Sequence, residues 1–206
     1  MIYIIITTSI FINGGNADLQ HRQFRYMNSI QHLLQLIQND VFIKPIIVEN
    51  NGLSRSYLDE LDCDIYYTYN NQFRWGHKGV NELIDIKEVI QQYNIQDDDI
   101  IVKLTGRYKL LDLSFIHLIK NNVDKYDAFI KFFNVCTKQF MYNDCVLGLF
   151  SIKCKYIKDF CYNCIASPEV EFAEYVRKNI QKDRIMEVQT LNLECCFADD
   201  LRILVV

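Results

Sequence analysis

The stretch Val102-Lys103-Leu104-Thr105-Gly106-Arg107-Tyr108 sets two cations and a hydroxyl at alternate positions at the end of an apolar run. Side chains of an extended backbone point to opposite sides in turn, so Lys103 and Thr105 share a face, and Arg107 joins them if the extension persists. A lysine inside an apolar segment is costly unless its charge is partnered. Arginine adds a planar fork of donors suited to phosphate oxygens. Such a row could hold a diphosphate and stabilise the negative charge that grows on it as it departs. The plainer alternative is a strand-end salt bridge at Arg107, with Lys103 reaching its ammonium out to water.

Other residues extend the same possibility. Arg22 stands near the start of the helical pattern that follows the first strand, either within reach of a phosphate or on a solvated face. Glu49 ends an apolar run; it could accept hydrogen bonds from a ribose or a base edge, or cap a turn. Lys78 and Glu82 have the spacing of a helical ion pair, and equally that of a diphosphate-facing cation with an orienting carboxylate. Trp75, the single Trp, could be core or a platform for a sugar ring.

Strands and helices alternate along the chain to position these groups. Ile2 to Thr8 is rich in β-branched residues and reads as a buried first strand. Leu19, Phe24, Met27, Ile30, Leu33, Leu34 and Ile37 then recur at helical spacing. Residues 44–52 read as a short strand with a polar end, 55–62 as a helix, 64–69 as a strand, 70–79 as a loop and 80–93 as a helix. Residues 99–106 form the fourth strand, 113–122 a helix, and 126–133 and 145–153 two further strands. Ser167 and Pro168, as cap and first-turn residue, open a last helix over 169–181.

This alternation predicts an α/β fold: a Rossmann-like, mostly parallel central sheet with helices on both faces. Such sheets bind ligands at the carboxyl ends of their strands. That rule selects Thr7-Thr8-Ser9, Glu49-Asn50-Asn51, the loop after Thr68, and Thr105 to Tyr108. Neither the dinucleotide-binding nor the P-loop glycine spacing occurs, and Asn13-Gly14-Gly15-Asn16 fits neither. Dehydrogenase and P-loop chemistries are therefore disfavoured.

At 206 residues, half of them hydrophobic and 23% charged, with only 2 Pro and 7 Gly for linkers, the chain reads as a single domain with a real core. A net charge of −4 argues against a nucleic-acid coat but permits a local basic pocket. The apolar start lacks a basic leader and a small-x-small cleavage site, and is too short to span a bilayer, so a soluble, cytoplasmic protein without a membrane span is expected. Cys161 and Cys164 form a C-x-x-C pair, with Cys154 nearby and Cys195 and Cys196 adjacent. Structural zinc takes two well-spaced pairs on loops, whereas residues 153–165 read as strand running into helix, so reduced, buried thiols are expected.

The blocks His21–Ile30, Ile46–Asn50, His77–Glu82 and Val102–Leu110 resemble, in that order, blocks of a divergent set of GT-A-fold glycosyltransferases from bacterial surface-polysaccharide and large-virus sugar pathways. There the blocks run as R-x-x-Q-Y-x-x-S-I, E-N, K-G-x-x-E and K-[IL]-T-G-R. The likeness covers residues 1–120 and implies a single GT-A-like domain over 1–206, with 1–120 binding a nucleotide sugar and 121–206 an acceptor. It implies an inverting glycosyltransferase moving a sugar from a nucleotide-diphosphate sugar, such as a UDP-sugar, to a saccharide or glycan acceptor. The donor residues would be Thr7, Thr8, Ser9, Arg22, Glu49, Asn50, Lys78, Glu82, Lys103, Thr105 and Arg107.

In that fold an Asp-x-Asp after the fourth strand usually holds Mg²⁺ or Mn²⁺. This chain has Thr105-Gly106-Arg107 there, so the expectation is no metal ligand set, no required cofactor, and a catalytic Arg107 that stabilises the leaving diphosphate. The fold implies a general base near the start of a late helix, which points to Glu171, then Glu169, with Asp144 third; first-turn glutamates also stabilise a helix without catalysis. The competing readings are a catalytically inactive GT-A-like binding or scaffold module, and a nucleotidyltransferase, disfavoured because the first loop lacks that class's Gly-rich, Lys-bearing pattern.

Overall fold

The computed structural model describes residues 1–10, 19–73, 78–132, 143–197 and 202–206; the Lys78 side chain lies outside the description. Its central element is a seven-stranded sheet of β1 (Ile2–Thr8), β2 (Ile43–Glu49), β3 (Asp64–Tyr67), β4 (Ile100–Thr105), β6 (Ala128–Ile130), β7 (Leu149–Lys153) and β8 (Ile185–Glu187), in the order β3-β2-β1-β4-β7-β6-β8. The first four strands in that order are parallel, β7 runs antiparallel to both β4 and β6, and β8 is parallel to β6. The mostly parallel α/β sheet is therefore as predicted, with the four predicted strands as neighbours in it.

Residue alternation decides the layers. Ile4 and Ile6 of β1 face one side with Ile47, Val102 and Leu104, where α1 (Leu19–Ile37) and α3 (Ser114–Lys120) cover them through Tyr26, Ile30, Leu33, Phe115 and Ile119. Ile5 faces the other side with Ile46, Val48 and Ile101. There α2 (Lys78–Gln92), α4 (Cys154–Asp159) and α5 (Pro168–Asn179) supply Leu83, Ile86, Val89, Ile157, Phe172 and Val176. Both faces are thus sealed by apolar contact, which is why β1, β2 and β4 can be apolar almost throughout.

Register brings the strand ends level. Thr8 is opposite Glu49 across β1 and β2, and Thr7 is opposite Thr105 across β1 and β4. A small antiparallel sheet of β5 (Lys109–Leu110), β9 (Leu193–Cys196) and β10 (Ile203–Val205) packs beside this edge, and the periodicity analysis did not foresee it.

Three expectations need correction. Residues 55–62 hold only a single 3-10 turn, Tyr57–Glu60; Ser56 caps it with a reciprocal Asp59 contact, but so short a segment cannot repay helix nucleation. The strands expected over 126–133 and 145–153 are shorter, β6 and β7, with an isolated antiparallel bridge between Phe132 and Cys145 beyond them. Cys161 and Cys164 are exposed rather than buried, whereas Cys145, Cys154, Cys195 and Cys196 are buried as expected, and all six are free thiols. No helix among the described residues is long and apolar enough to cross a membrane.

Candidate functional site at the carboxyl ends of β1, β2 and β4

Glu49 ends β2 with no exposure to solvent, and its partners show why. The Thr8 hydroxyl donates to Oε2 at 2.7 Å, while the Ile10 and Asn51 backbone N–H groups and the Asn51 side-chain amide donate to Oε1. The carboxylate knots the ends of β1 and β2 together. Thr8 and Glu49 thus meet at the strand ends as a satisfied structural pair.

On the same side of the sheet α1 carries Arg22, only 3% exposed. Its Nε and Nη2 donate to the Ser9 carbonyl at 2.9 and 2.7 Å, and Nη2 also reaches the Tyr26 hydroxyl at 3.0 Å. Nη1 has no hydrogen-bond partner, and no carboxylate pairs with this guanidinium among the described residues. A buried cation balanced, among the described residues, by neutral acceptors is an expensive arrangement, and its natural complement is an anion.

The backbone after β4 does not stay extended. Gly106 opens a turn, its N–H donating to the Thr7 carbonyl at 2.9 Å. A Cβ at Gly106 would fall 2.7 Å from Thr8 Cγ2 and 3.0 Å from the Tyr26 ring, so this close approach of three elements requires glycine. The turn takes Arg107 out of strand alternation with Lys103 and Thr105, correcting the idea of one shared row. Its Nε donates to the Cys196 carbonyl of β9 at 2.7 Å, and its guanidinium lies 5.1 Å from the centre of the Tyr108 ring. Burial opposes its charge, but Tyr26, Tyr108 and Glu82 hold its pKa above the usual arginine value, so it stays charged. The Tyr26 hydroxyl therefore neighbours the guanidinium groups of both Arg22 and Arg107, which approach the end of β1 from α1 and from the β4 turn.

Lys103 is 2% exposed and does not reach out to water. Its ammonium donates to Thr105 Oγ1 at 2.7 Å and to the Leu147 carbonyl at 2.9 Å, and pairs with Glu82 Oε2 of α2 at 2.8 Å. Three acceptors satisfy three N–H groups, which explains how the charge sits on the α2 side of the sheet. Glu82 thus pairs with Lys103; its expected pairing with Lys78 and the expected roles of Lys78 and Trp75 fall on side chains outside the described residues. The Lys103–Glu82 pair borders a solvent-open cleft whose other walls include Leu147, Phe150, Phe160, Tyr162 and Phe172.

The expected bases fare differently. Glu171 is buried, and its two oxygens accept the backbone N–H groups of Asn163, Cys164, Ile165 and Ala166 at 2.7–3.3 Å. Burial raises its pKa, but these four donors outweigh that and hold it below the usual glutamate value. The carboxylate is occupied in shaping the loop before α5, in which Cys164 takes a left-handed φ of 59°. Glu169 is half-buried and Asp144 buried.

Sequence reasoning missed Asp85. It is fully buried on α2 and accepts from Asn50 Nδ2 at 2.8 Å, Thr68 Oγ1 at 2.7 Å and Asn70 Nδ2 at 2.7 Å, tying α2 to the ends of β2 and β3. Burial pushes its pKa up to about 6 against the pull of these donors. Asn81, Asp85 and Val89, spaced by four on the buried face of α2, were the available signal. Asn50 follows β2 and is anchored by this carboxylate. Thr7 shares the Ile5 and Thr105 face, and its hydroxyl is buried without a partner.

Among the described residues, no set of side chains fits a divalent ion. Thr105, Gly106 and Arg107 provide no carboxylate at the end of β4, and no group of three or more His, Cys, Asp or Glu is placed to hold a metal among the described residues.

No protein-family model matches this chain, and no curated protein matches it either. Solved structures do share its fold. A protein named for nucleotide-diphospho-sugar transfer, from Desulfovibrio desulfuricans G20, superposes with a TM-score of 0.56 at 11% identity, over 91% of this chain and 79% of its own. A CMP:2-keto-3-deoxy-manno-octonic acid synthetase complexed with CTP gives 0.54 at 11% identity, over 91% and 89%. The 4-diphosphocytidyl-2C-methyl-D-erythritol synthase of Anaerococcus prevotii gives 0.53 at 12%, over 91% and 87%. At such identities the likeness is one of fold: the chain has the GT-A-like α/β architecture found in proteins named for nucleotide-diphospho-sugar and nucleotidyl transfer.

Proposed function

We propose that the chain is a glycosyltransferase that binds a nucleotide-diphosphate sugar at the ends of β1, β2 and β4 and moves the sugar, with inversion, to a saccharide or glycan hydroxyl. The observation that carries this is Arg22, a buried guanidinium without a carboxylate among the described residues, neighboured through Tyr26 by the half-buried Arg107. In a chain of net charge −4, two guanidinium groups at the ligand-binding edge of the sheet favour a bound dianion. When the anomeric carbon–oxygen bond breaks, its electron pair leaves with the diphosphate. Cations fixed at that edge stabilise the departing charge without reorganising. Arg107 acts here as the charge partner in the transition state, and no metal is invoked. Thr8 and Glu49 hold the β1 and β2 ends in place, while Asn50 and Thr7 face the nucleotide from the α2 side.

A second reading, nucleotidyl transfer, is favoured by the fold of the two synthases. The Ser9–His21 segment, which holds no Lys or Arg, speaks against it, because a nucleoside triphosphate needs a cationic first loop. The two differ in product. Incubation with a panel of nucleotide sugars should release nucleoside diphosphate, whereas nucleoside triphosphate plus sugar phosphate should yield no pyrophosphate. Pyrophosphate release without nucleoside diphosphate release would replace the first reading with the second. Binding of nucleotide sugars without turnover would favour an inactive binding module.

A further inference from the structure

Resting on the glycosyltransferase reading, we infer that Glu82 is the general base of the transfer, and that the α2–β7–α5 cleft receives an acceptor that carries a compact apolar face beside its reacting hydroxyl. Glu171, the carboxylate expected for this task, has its lone pairs filled by four backbone N–H groups and has none to offer a substrate. Glu82 is placed otherwise. Among the described residues it is the one carboxylate lining the cleft, its side chain is 33% exposed, and the partner it has there is the Lys103 ammonium, at Oε2. A carboxylate has about four acceptor positions, so an acceptor hydroxyl can still be received. Lys103 is itself fixed by Thr105 and the Leu147 carbonyl, which makes it a positioning residue that holds Glu82 aimed.

The walls argue for the acceptor's character. Apart from Glu82, Lys103 and Tyr162, the cleft is bounded by hydrocarbon, including Leu83, Ile86, Phe150 and Phe172. A sugar presenting a C–H or methyl face, or a hydroxyl beside an aromatic aglycone, suits such a surface better than a fully hydrated polyol. In the reaction the acceptor oxygen attacks the anomeric carbon and its proton passes to Glu82. The bond from that carbon to the diphosphate breaks, and the electron pair leaves with the diphosphate at the Arg22 and Arg107 edge.

The test uses the full chain and the nucleotide sugar from which it releases nucleoside diphosphate. Glu82→Gln keeps an amide oxygen for Lys103, so the buried ammonium is not stripped of its partner. Transfer turnover should fall at least about a hundredfold, the usual scale of general-base loss, with donor dissociation constant within about twofold. Azide, a nucleophile with no proton to remove, should form glycosyl azide with the variant at a rate close to wild type. Glu82→Asp, which keeps the charge but withdraws it, should be slow as well and guards against a Gln variant that fails to fold. Unchanged turnover in both variants would overturn the base assignment, as would a slow variant that azide does not rescue. A large loss of donor affinity would instead return Glu82 to the donor site. A wild-type protein that binds nucleotide sugars yet transfers to no hydroxyl overturns the transferase reading together with this one.

Discussion

At the scale of single residues, geometry reassigns several roles that residue type alone left open. Glu171 is acidic, near a helix start and downstream of β7, yet its bonds make it a loop organiser. Replacing it with Gln would aim an NH₂ group at backbone donors. Glu171→Gln should therefore cost about 1–3 kcal/mol, the penalty for leaving buried N–H groups unpaired, with turnover per folded molecule intact. Urea unfolding and steady-state rates on the same preparation check both halves. Its pKa is depressed in the fold, so its stabilisation is present above the ordinary glutamate value of 4.5 and fades as pH falls through the folded value. Arg107 shows the opposite lesson. Its charge and its approach to the strand end were legible from Lys-Leu-Thr-Gly-Arg, but not its direction, because the turn at Gly106 depends on the Thr8 and Tyr26 contacts made across the sheet.

At the scale of elements, two buried carboxylates join neighbouring segments and titrate in opposite senses. Asp127, next to β6, takes Lys153 of β7 at 3.0 Å, the Arg184 guanidinium and the Tyr156 hydroxyl at 2.9 Å. Burial pushes its pKa up, but these partners win and bring it down to about 2. A depressed carboxylate stabilises above its unfolded value of 3.8, so about 2 kcal/mol should be lost as pH falls from about 4 toward 2. Asp85, raised to about 6 by burial, contributes with the other sign. Its share is full below 3.8 and is lost as pH rises through 6, by about 3 kcal/mol. Unfolding free energy against pH should thus rise from pH 2 to 4 through Asp127 and fall from pH 4 to 6 through Asp85. Asp127→Asn should flatten the first limb and Asp85→Asn the second. An Asp85→Asn curve that keeps its upper limb would remove Asp85 as the cause. The β1 to β4 strands were legible because apolar, β-branched runs recur between amphipathic helices. The β5-β9-β10 sheet was not, since its strands are two to four residues long and pair by tertiary contact rather than pattern.

At the scale of the whole molecule, the fold divides the candidate groups between the two faces of one sheet. Arg22, Tyr26 and the β4 turn gather at the α1 side of the strand ends, while Lys103, Glu82 and the apolar cleft lie on the α2 side. Thr7, Thr8 and Thr105 stand between them at the level ends of β1 and β4. A donor laid across these ends would reach both, its diphosphate toward the guanidinium groups and its sugar toward the cleft. The central claim is that the chain's own guanidinium groups do the work a divalent ion does elsewhere, and turnover in excess EDTA tests it most directly. Wild-type release of nucleoside diphosphate should survive chelation. Arg107→Ala, folded by circular dichroism, should lose a hundredfold or more in turnover, on the order of 3–4 kcal/mol in the transition state, with little change in donor affinity. Activity that EDTA abolishes and Mn²⁺ restores, or that survives both EDTA and Arg107→Ala, would contradict the account.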